Sequence, residues 1–152
     1  MATERIAAAG NITILSFGAA SPQASGVPFQ ASITVQSTGG ASNNVCGRFF
    51  SGVSGGTVSG FSPTIKCAGT VGDGQTATIF WNVTFTLGAG QSSGTLTLTP
   101  SVTWDAGSTF ATVQQITVIP AAAPVQLSLQ SVTSSKTTFF SGESITMDVA
   151  VK

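Results

Sequence analysis

Histidine and tyrosine are missing altogether from these 152 residues. With them go the commonest general base, the commonest metal ligand and the phenolic acid, and so most acid–base, triad and metal-site constellations. Charge is nearly as scarce: Lys, Arg, Asp and Glu make up 7% of the chain, five basic against five acidic, where a soluble domain ordinarily carries about a quarter. No basic excess marks a footprint for nucleic acid or an anionic membrane surface, so neither is expected as a partner. Long apolar runs are lacking too. The stretch from Pro120 to Val125 is far too short to cross a bilayer, and no basic segment followed by an apolar one opens the chain as an export signal would. Helical propensity is confined to Met1 to Gly10, too short to be stable alone and read as an N-terminal arm over residues 1–10.

What remains is an apolar interior and an uncharged exterior. Hydrophobic residues account for 41% of the chain, enough for a packed core, and Ser, Thr, Gly, Gln and Asn must cover the surface. A near-zero net charge favours association, which suits a secreted, glycosylated or assembled protein better than one dispersed in cytosol. An extracellular or cell-surface location is therefore expected. The two cysteines, Cys46 and Cys67, either pair or remain as buried free thiols. The extracellular composition favours the pair, and closing a loop of roughly 20 residues stabilises a fold by about 3 kcal/mol.

The sequence alternates with a period of two along most of its length. From Ala77 to Leu87 the odd positions carry Ile79, Trp81, Val83 and Phe85, and the even ones Thr78, Phe80, Asn82, Thr84 and Thr86. From Gly94 to Trp104 the alternation resumes, with Leu96, Leu98, Val102 and Trp104 on one side and threonines and Ser101 on the other. The two runs are expected to form a long hairpin, with both tryptophans on its buried face. Phe29, Ala31, Ile33 and Val35 alternate with Gln30, Ser32, Thr34 and Gln36 in the same way. Shorter strands are predicted at Asn11 to Phe17, Val45 to Phe50, Thr64 to Cys67 and Thr109 to Ile119, with turns at the Gly, Pro, Ser and Asp clusters between them. About seven strands near ten residues apart predict an antiparallel β-sandwich over residues 11–119, with Trp81, Trp104, Phe85, Ile79, Ile33 and Val35 in its core.

The pattern then restarts. Beyond a linker at residues 120–124, Leu127, Leu129 and Val132 repeat Ile12, Ile14 and Phe17, and Ser141-Gly142 repeats Ser25-Gly26. Ile145, Met147, Val149 and Val151 fall in step with Phe29, Ala31, Ile33 and Val35. Residues 125–152 thus read as a second copy carrying two strands. Two accounts stand: a longer tandem array, or two strands that complete a sheet in a neighbouring subunit, since an amphipathic hairpin is marginal alone in water. On the second account Leu127, Leu129, Val132, Phe139, Phe140, Ile145, Met147, Val149 and Val151 are subunit contacts, and deleting residues 125–152 should leave a monomer.

The Ser-Gly turns with their alternating strands (Ser25 to Gln36, Ser141 to Lys152), the run Gly74 to Trp81 and the run Gly94 to Trp104 resemble the immunoglobulin-like repeats of bacterial and archaeal surface proteins, those of the CARDB type in particular. The resemblance covers Asn11 to Ile119 and begins again at Val125. It implies an immunoglobulin-like fold and a role as a stalk, an adhesive or filament subunit, or an appendage of a secreted enzyme. The cysteine pair and the few acidic residues depart from it, which puts calcium-dependent rigidity in doubt.

Candidate sites are few. The carboxylates are Glu4, Asp73, Asp105, Glu143 and Asp148; Asp73 and Asp105 both sit in turns, where aspartate usually caps its own backbone. No serine stands in a strand-turn-helix elbow, so no catalytic residue, metal or cofactor is expected. Two sequons are present, at Asn11 and Asn82, and strand parity puts Asn82 outward. The outward threonines resemble rows on ice-binding faces, although Phe80 interrupts them and threonine is what a solvated strand prefers. Glycan binding would need exposed aromatics, for which Phe80, Phe49 or Phe50, and Phe139 or Phe140 are the candidates. The expectation is a non-enzymatic extracellular filament or stalk subunit whose partner is itself. The alternative is a carbohydrate-binding or adhesion module on a virion or secreted enzyme.

Overall fold

The structure, a computed structural model, describes residues 8–123, 129–134 and 147–151. The chain divides into two compact units, Met1–Ala121 and Ala122–Lys152. All the elements described are strands. In the first unit they are β1 (Asn11–Gly18), β2 (Gln23–Ala24), β3 (Phe29–Thr38), β4 (Ser42–Ser54), β5 (Gly56–Ser59), β6 (Ile65–Val71), β7 (Thr76–Leu87), β8 (Gly94–Trp104), β9 (Gly107–Phe110) and β10 (Gln114–Ile119). In the second they are β11 (Leu129–Ser134) and β12 (Met147–Val151). The ten strands among the described residues of the first unit exceed the roughly seven expected. β2 and β5 are short additions inside loops, and the single closing strand expected after Ser108 is broken into β9 and β10.

The first unit has two sheets. One runs β1-β3-β7-β5; the other runs β2-β10-β8-β4-β6, with β9 also on β8. Every pairing is antiparallel except β2 with β10. The expected hairpin between the runs at 77–87 and 94–104 is not formed, because β7 lies in the first sheet and β8 in the second. Residues 88–93 carry the chain from one sheet to the other. The misreading has a simple origin: two strands facing each other across a core and two strands side by side both present apolar parity to the same interior, so alternation reports a face and not a neighbour.

The faces themselves follow the alternation. Ala31, Ile33 and Val35 of β3, Trp81, Val83 and Phe85 of β7, and Leu96, Leu98 and Val102 of β8 are fully buried in one cluster, which Ile79, Ile116 and Val118 join. Phe49 of β4 meets Trp81 edge-on at 5.1 Å and Phe61 at 6.0 Å, an arrangement that the aromatic quadrupole favours. The indole N–H of Trp81 donates to the Pro63 carbonyl at 3.2 Å. Trp104 differs from the core position expected for it. At the last residue of β8 it packs only on the rim, half-buried, and its N–H donates to the Gly10 carbonyl at 3.1 Å.

Two close approaches explain particular residues. A Cβ on Gly94 would come within 2.9 Å of Phe85 and Leu87, so the crossing between sheets closes over the Phe85 ring only with glycine there. Gly18, at φ +105°, lies against the Gln114 carboxamide. That amide accepts from Ala19 N–H at 3.1 Å and donates to Ala19 carbonyl at 3.1 Å, tying the end of β1 to β10.

The described residues of the second unit form a two-stranded antiparallel ribbon whose register copies that of β1 and β3. In β1–β3, Ile14 faces Val35, a bulge follows between Ile14 and Ser16, and Phe17 faces Ile33. In β11–β12, Leu129 faces Val151, a bulge follows between Leu129 and Ser131, and Val132 faces Val149.

Candidate functional site

Cys46 and Cys67 form a disulfide between directly opposed residues of β4 and β6. It lies on the outward side of the second sheet, half-buried at Cys46 and exposed at Cys67, which departs from the buried-thiol alternative. A disulfide points to an oxidising environment.

The turn aspartates are tied to residues distant in sequence, where capping of their own turns was expected. Gly40 N–H donates to Asp73 Oδ1 at 3.2 Å, and Asn44 Nδ2 donates to Asp105 Oδ1 at 2.7 Å. Each thus pins the turn before or at the start of β4. Glu4 and Glu143 lie outside the described residues, and Asp148 is exposed on β12. Among the described residues no group of three or more His, Cys, Asp or Glu could hold a metal ion, and no helix is long and apolar enough to cross a membrane.

The outward face of the second sheet carries a row running across four strands: Ile65, Arg48, Ser101 and Phe110, set by the pairings of Arg48 with Ile65 and of Ser101 with Arg48 and Phe110. Phe110 is 61% exposed, Ile65 53% and, two residues along β4, Phe50 47%. The Arg48 guanidinium lies 4.3 Å over the Phe50 ring. Ser101 faces outward as its parity predicts, yet it is buried because Arg48 and Phe110 flank it; Ser101 Oγ and Arg48 Nε are both buried without a hydrogen-bond partner. Sequence reasoning found Phe50 but missed Phe110 and Ile65. The signal for Phe110 was the turn at Asp105-Ala106: once it is recognised as a hairpin turn, residue 110 must oppose residue 101.

The outward face of the first sheet carries the threonines, of which Thr34 and Thr78 share a hydroxyl hydrogen bond at 3.0 Å, together with Phe80 and the sequon residue Asn82. Both are exposed on β7, Phe80 opposite Ser32 and Asn82 opposite Gln30. A shallow groove of about 360 Å³ lies beside them, lined by Ser16 to Ala20, Gln30, Ser32 and Phe80. Asn11 is exposed at the start of β1, opposite Thr38. A second cavity of about 200 Å³ lies under the arm between Ala8, Ala41 and Trp104. Phe49, a candidate for exposure, is a core residue.

Of the expected contact residues in the second copy, Val132, Met147 and Val149 are 49%, 55% and 57% exposed. Leu129 and Val151 stand opposite each other in β11 and β12. Leu127, Phe139, Phe140 and Ile145 lie outside the described residues. No protein-family model matches the chain, and no curated protein matches it.

Proposed function

We propose that the protein is a non-enzymatic, extracellular structural subunit of a surface filament or stalk. Its first unit is an immunoglobulin-like sandwich, and its second is a strand pair donated to a neighbouring copy. The sandwich reading is supported by strand order. An immunoglobulin domain places its strands A, B, E and D in one sheet and C, F and G in the other; here β1, β3, β7 and β5 stand side by side in one sheet and β4, β8 and β10 in the other. β6 lies on the far edge of β4, as an added strand does in variable-type domains. It follows β5 in the chain, so this order departs from that scheme. The extracellular reading is supported by the disulfide and the uncharged surface.

The observation that carries the assembly reading is the ribbon β11–β12. It repeats the register and bulge of β1–β3, yet its apolar residues Val132, Met147 and Val149 stand about half-exposed. Two strands of this kind gain stability by finding a sheet to cover them. Electron microscopy of the purified chain tests the proposal. Ordered filaments are expected from the natural sequence, and dispersed particles from the double variant Val132→Ser, Val149→Ser. Dispersed particles from both would overturn it.

A second reading, a glycan-binding or adhesion module, draws on the outward face of the second sheet. There Phe50, under Arg48, and Phe110, on the far side of Ser101, expose two rings, the kind of aromatic surface on which sugar rings stack. Retention of monomers on an immobilised polysaccharide, lost in Phe50→Ala and Phe110→Ala, would favour it.

A further inference from the structure

We infer that Asn82 carries an N-linked glycan whose first sugar ring lies on Phe80 and whose chain runs along the groove towards Ser32 and Gly18. The argument begins with the strand. Residues two apart on a strand point to the same side, about 6.7 Å apart. Phe80, Asn82 and Thr84 therefore share the outward face of β7, so aromatic ring, acceptor amide and sequon hydroxyl stand in one row. Phe80 is 48% exposed and Asn82 is exposed. An apolar ring left in water on an otherwise threonine-rich face costs free energy that a covering group recovers. The axial C–H face of a pyranose, slightly positive, matches the negative face of the phenyl ring.

The groove gives the rest of the glycan somewhere to lie. Gln30 stands directly across from Asn82, and Ser32 across from Phe80 with Gly18 beyond it. Besides Phe80, the lining is Ser16, Gln30 and Ser32, polar side chains suited to sugar hydroxyls, with Phe17, Gly18, Ala19 and Ala20. The other sequon lacks this setting: the residue sharing a face with Asn11 on its own strand is Thr13, and Thr38 stands opposite it. The covalent step is ordinary transfer. Asn82 Nδ2 attacks the anomeric carbon of a lipid-linked oligosaccharyl diphosphate, the C1–O bond to phosphate breaks, and Nδ2 loses one proton to the medium as the C1–N bond forms. No oxidant or reductant is needed.

The inference shares with the proposed function only the exported location, and its readout is mass, which does not depend on assembly. The full chain would be expressed through a secretory pathway that supplies lipid-linked oligosaccharide, and its intact mass and glycopeptides recorded. A hexosamine-bearing species at Asn82 is expected, lost in Asn82→Gln and Thr84→Ala and retained in Asn11→Gln. Phe80→Ala, at an exposed position that leaves the core intact, is expected to lower Asn82 occupancy or increase glycan mobility at least twofold, with Phe80→Trp restoring it and Phe50→Ala without effect. An unmodified Asn82 in the secreted chain would overturn the site. Occupancy and glycan mobility both unchanged in Phe80→Ala would overturn the stacking.

Discussion

The strand pair β1–β3 and the strand pair β11–β12 are one pattern in two environments. Both place an aliphatic pair before a bulge and a second apolar pair after it. In the first, Ile33 and Val35 are completely buried. In the second, Val149, which stands where Ile33 stands, is 57% exposed. The difference separates two things that a folded domain usually shows together. Pairing and register are carried by the alternation and the bulge, within about 20 residues, and they form in both copies. Burial comes from elsewhere: β7 beside β3 and the facing strands β4, β8 and β10 supply the cover, all of them products of the sequence between Ser42 and Ile119.

Matched truncations should break the comparison open. Ile33→Ala removes three buried carbons from a close-packed cluster, a change that costs about 2–5 kcal/mol. Val149→Ala at the corresponding exposed position should shift the unfolding of the dispersed chain by no more than about 0.5 kcal/mol. Urea unfolding at concentrations low enough to keep the chain dispersed reads both, by tryptophan fluorescence for the first unit, which holds Trp81 and Trp104, and by hydrogen exchange at the β11 and β12 amides for the second. Equal losses would mean that Val149 is covered in solution as fully as Ile33, and the ribbon would then have its partner already.

The covered copy has a second advantage in its disulfide. Cys46 and Cys67 stand 21 residues apart, and opening a loop of that length forfeits about 3 kcal/mol. Thermal unfolding with and without a thiol reductant should therefore differ by on the order of 10 °C. A β6 strand so tied to β4 also explains why Lys66 can reach across to the Phe80 carbonyl at 2.9 Å. An unchanged midpoint after verified reduction would assign the stability of this edge to packing alone.

Much of this arrangement was readable from the residues, and the unreadable part has a common cause. The phases of β3 and β7 were legible because each strand buries one face and wets the other, so that Ile79, Trp81, Val83 and Phe85 declare themselves. The repeat was legible for the same reason. What alternation does not encode is which strand lies beside which, hence the hairpin expected between β7 and β8, two strands that in fact lie in different sheets. The candidate surfaces suffered similarly. Phe80 and Asn82 follow from parity alone, whereas the row from Ile65 to Phe110 exists only once four strands from distant parts of the chain are laid side by side. The groove beside Phe80 needs the turn after β1 folded back against β3 and β7, which no local pattern announces.

The two tryptophans offer the finest version of the contrast, within a single unit. Trp81 is sealed between the sheets and satisfies its N–H on the Pro63 carbonyl; Trp104 sits at the rim and spends its N–H on Gly10, whose own N–H donates to the Ala41 carbonyl at 3.0 Å. Trp104→Phe keeps an aromatic ring against the core but removes that donor. The net loss for one hydrogen bond of this kind is about 0.5–1.5 kcal/mol, smaller than the losses expected for Ile33→Ala and for opening the disulfide. Because the bond fixes the entry of the chain into β1, its loss should also show locally. Hydrogen exchange at the Gly10 amide is expected to accelerate more than exchange at the amides of β3 or β7, while the remaining tryptophan emission, from Trp81 alone, should keep the blue position of a buried indole. Uniform acceleration across β3 and β7 would instead make Trp104 a member of the core in its energetics, whatever its exposure.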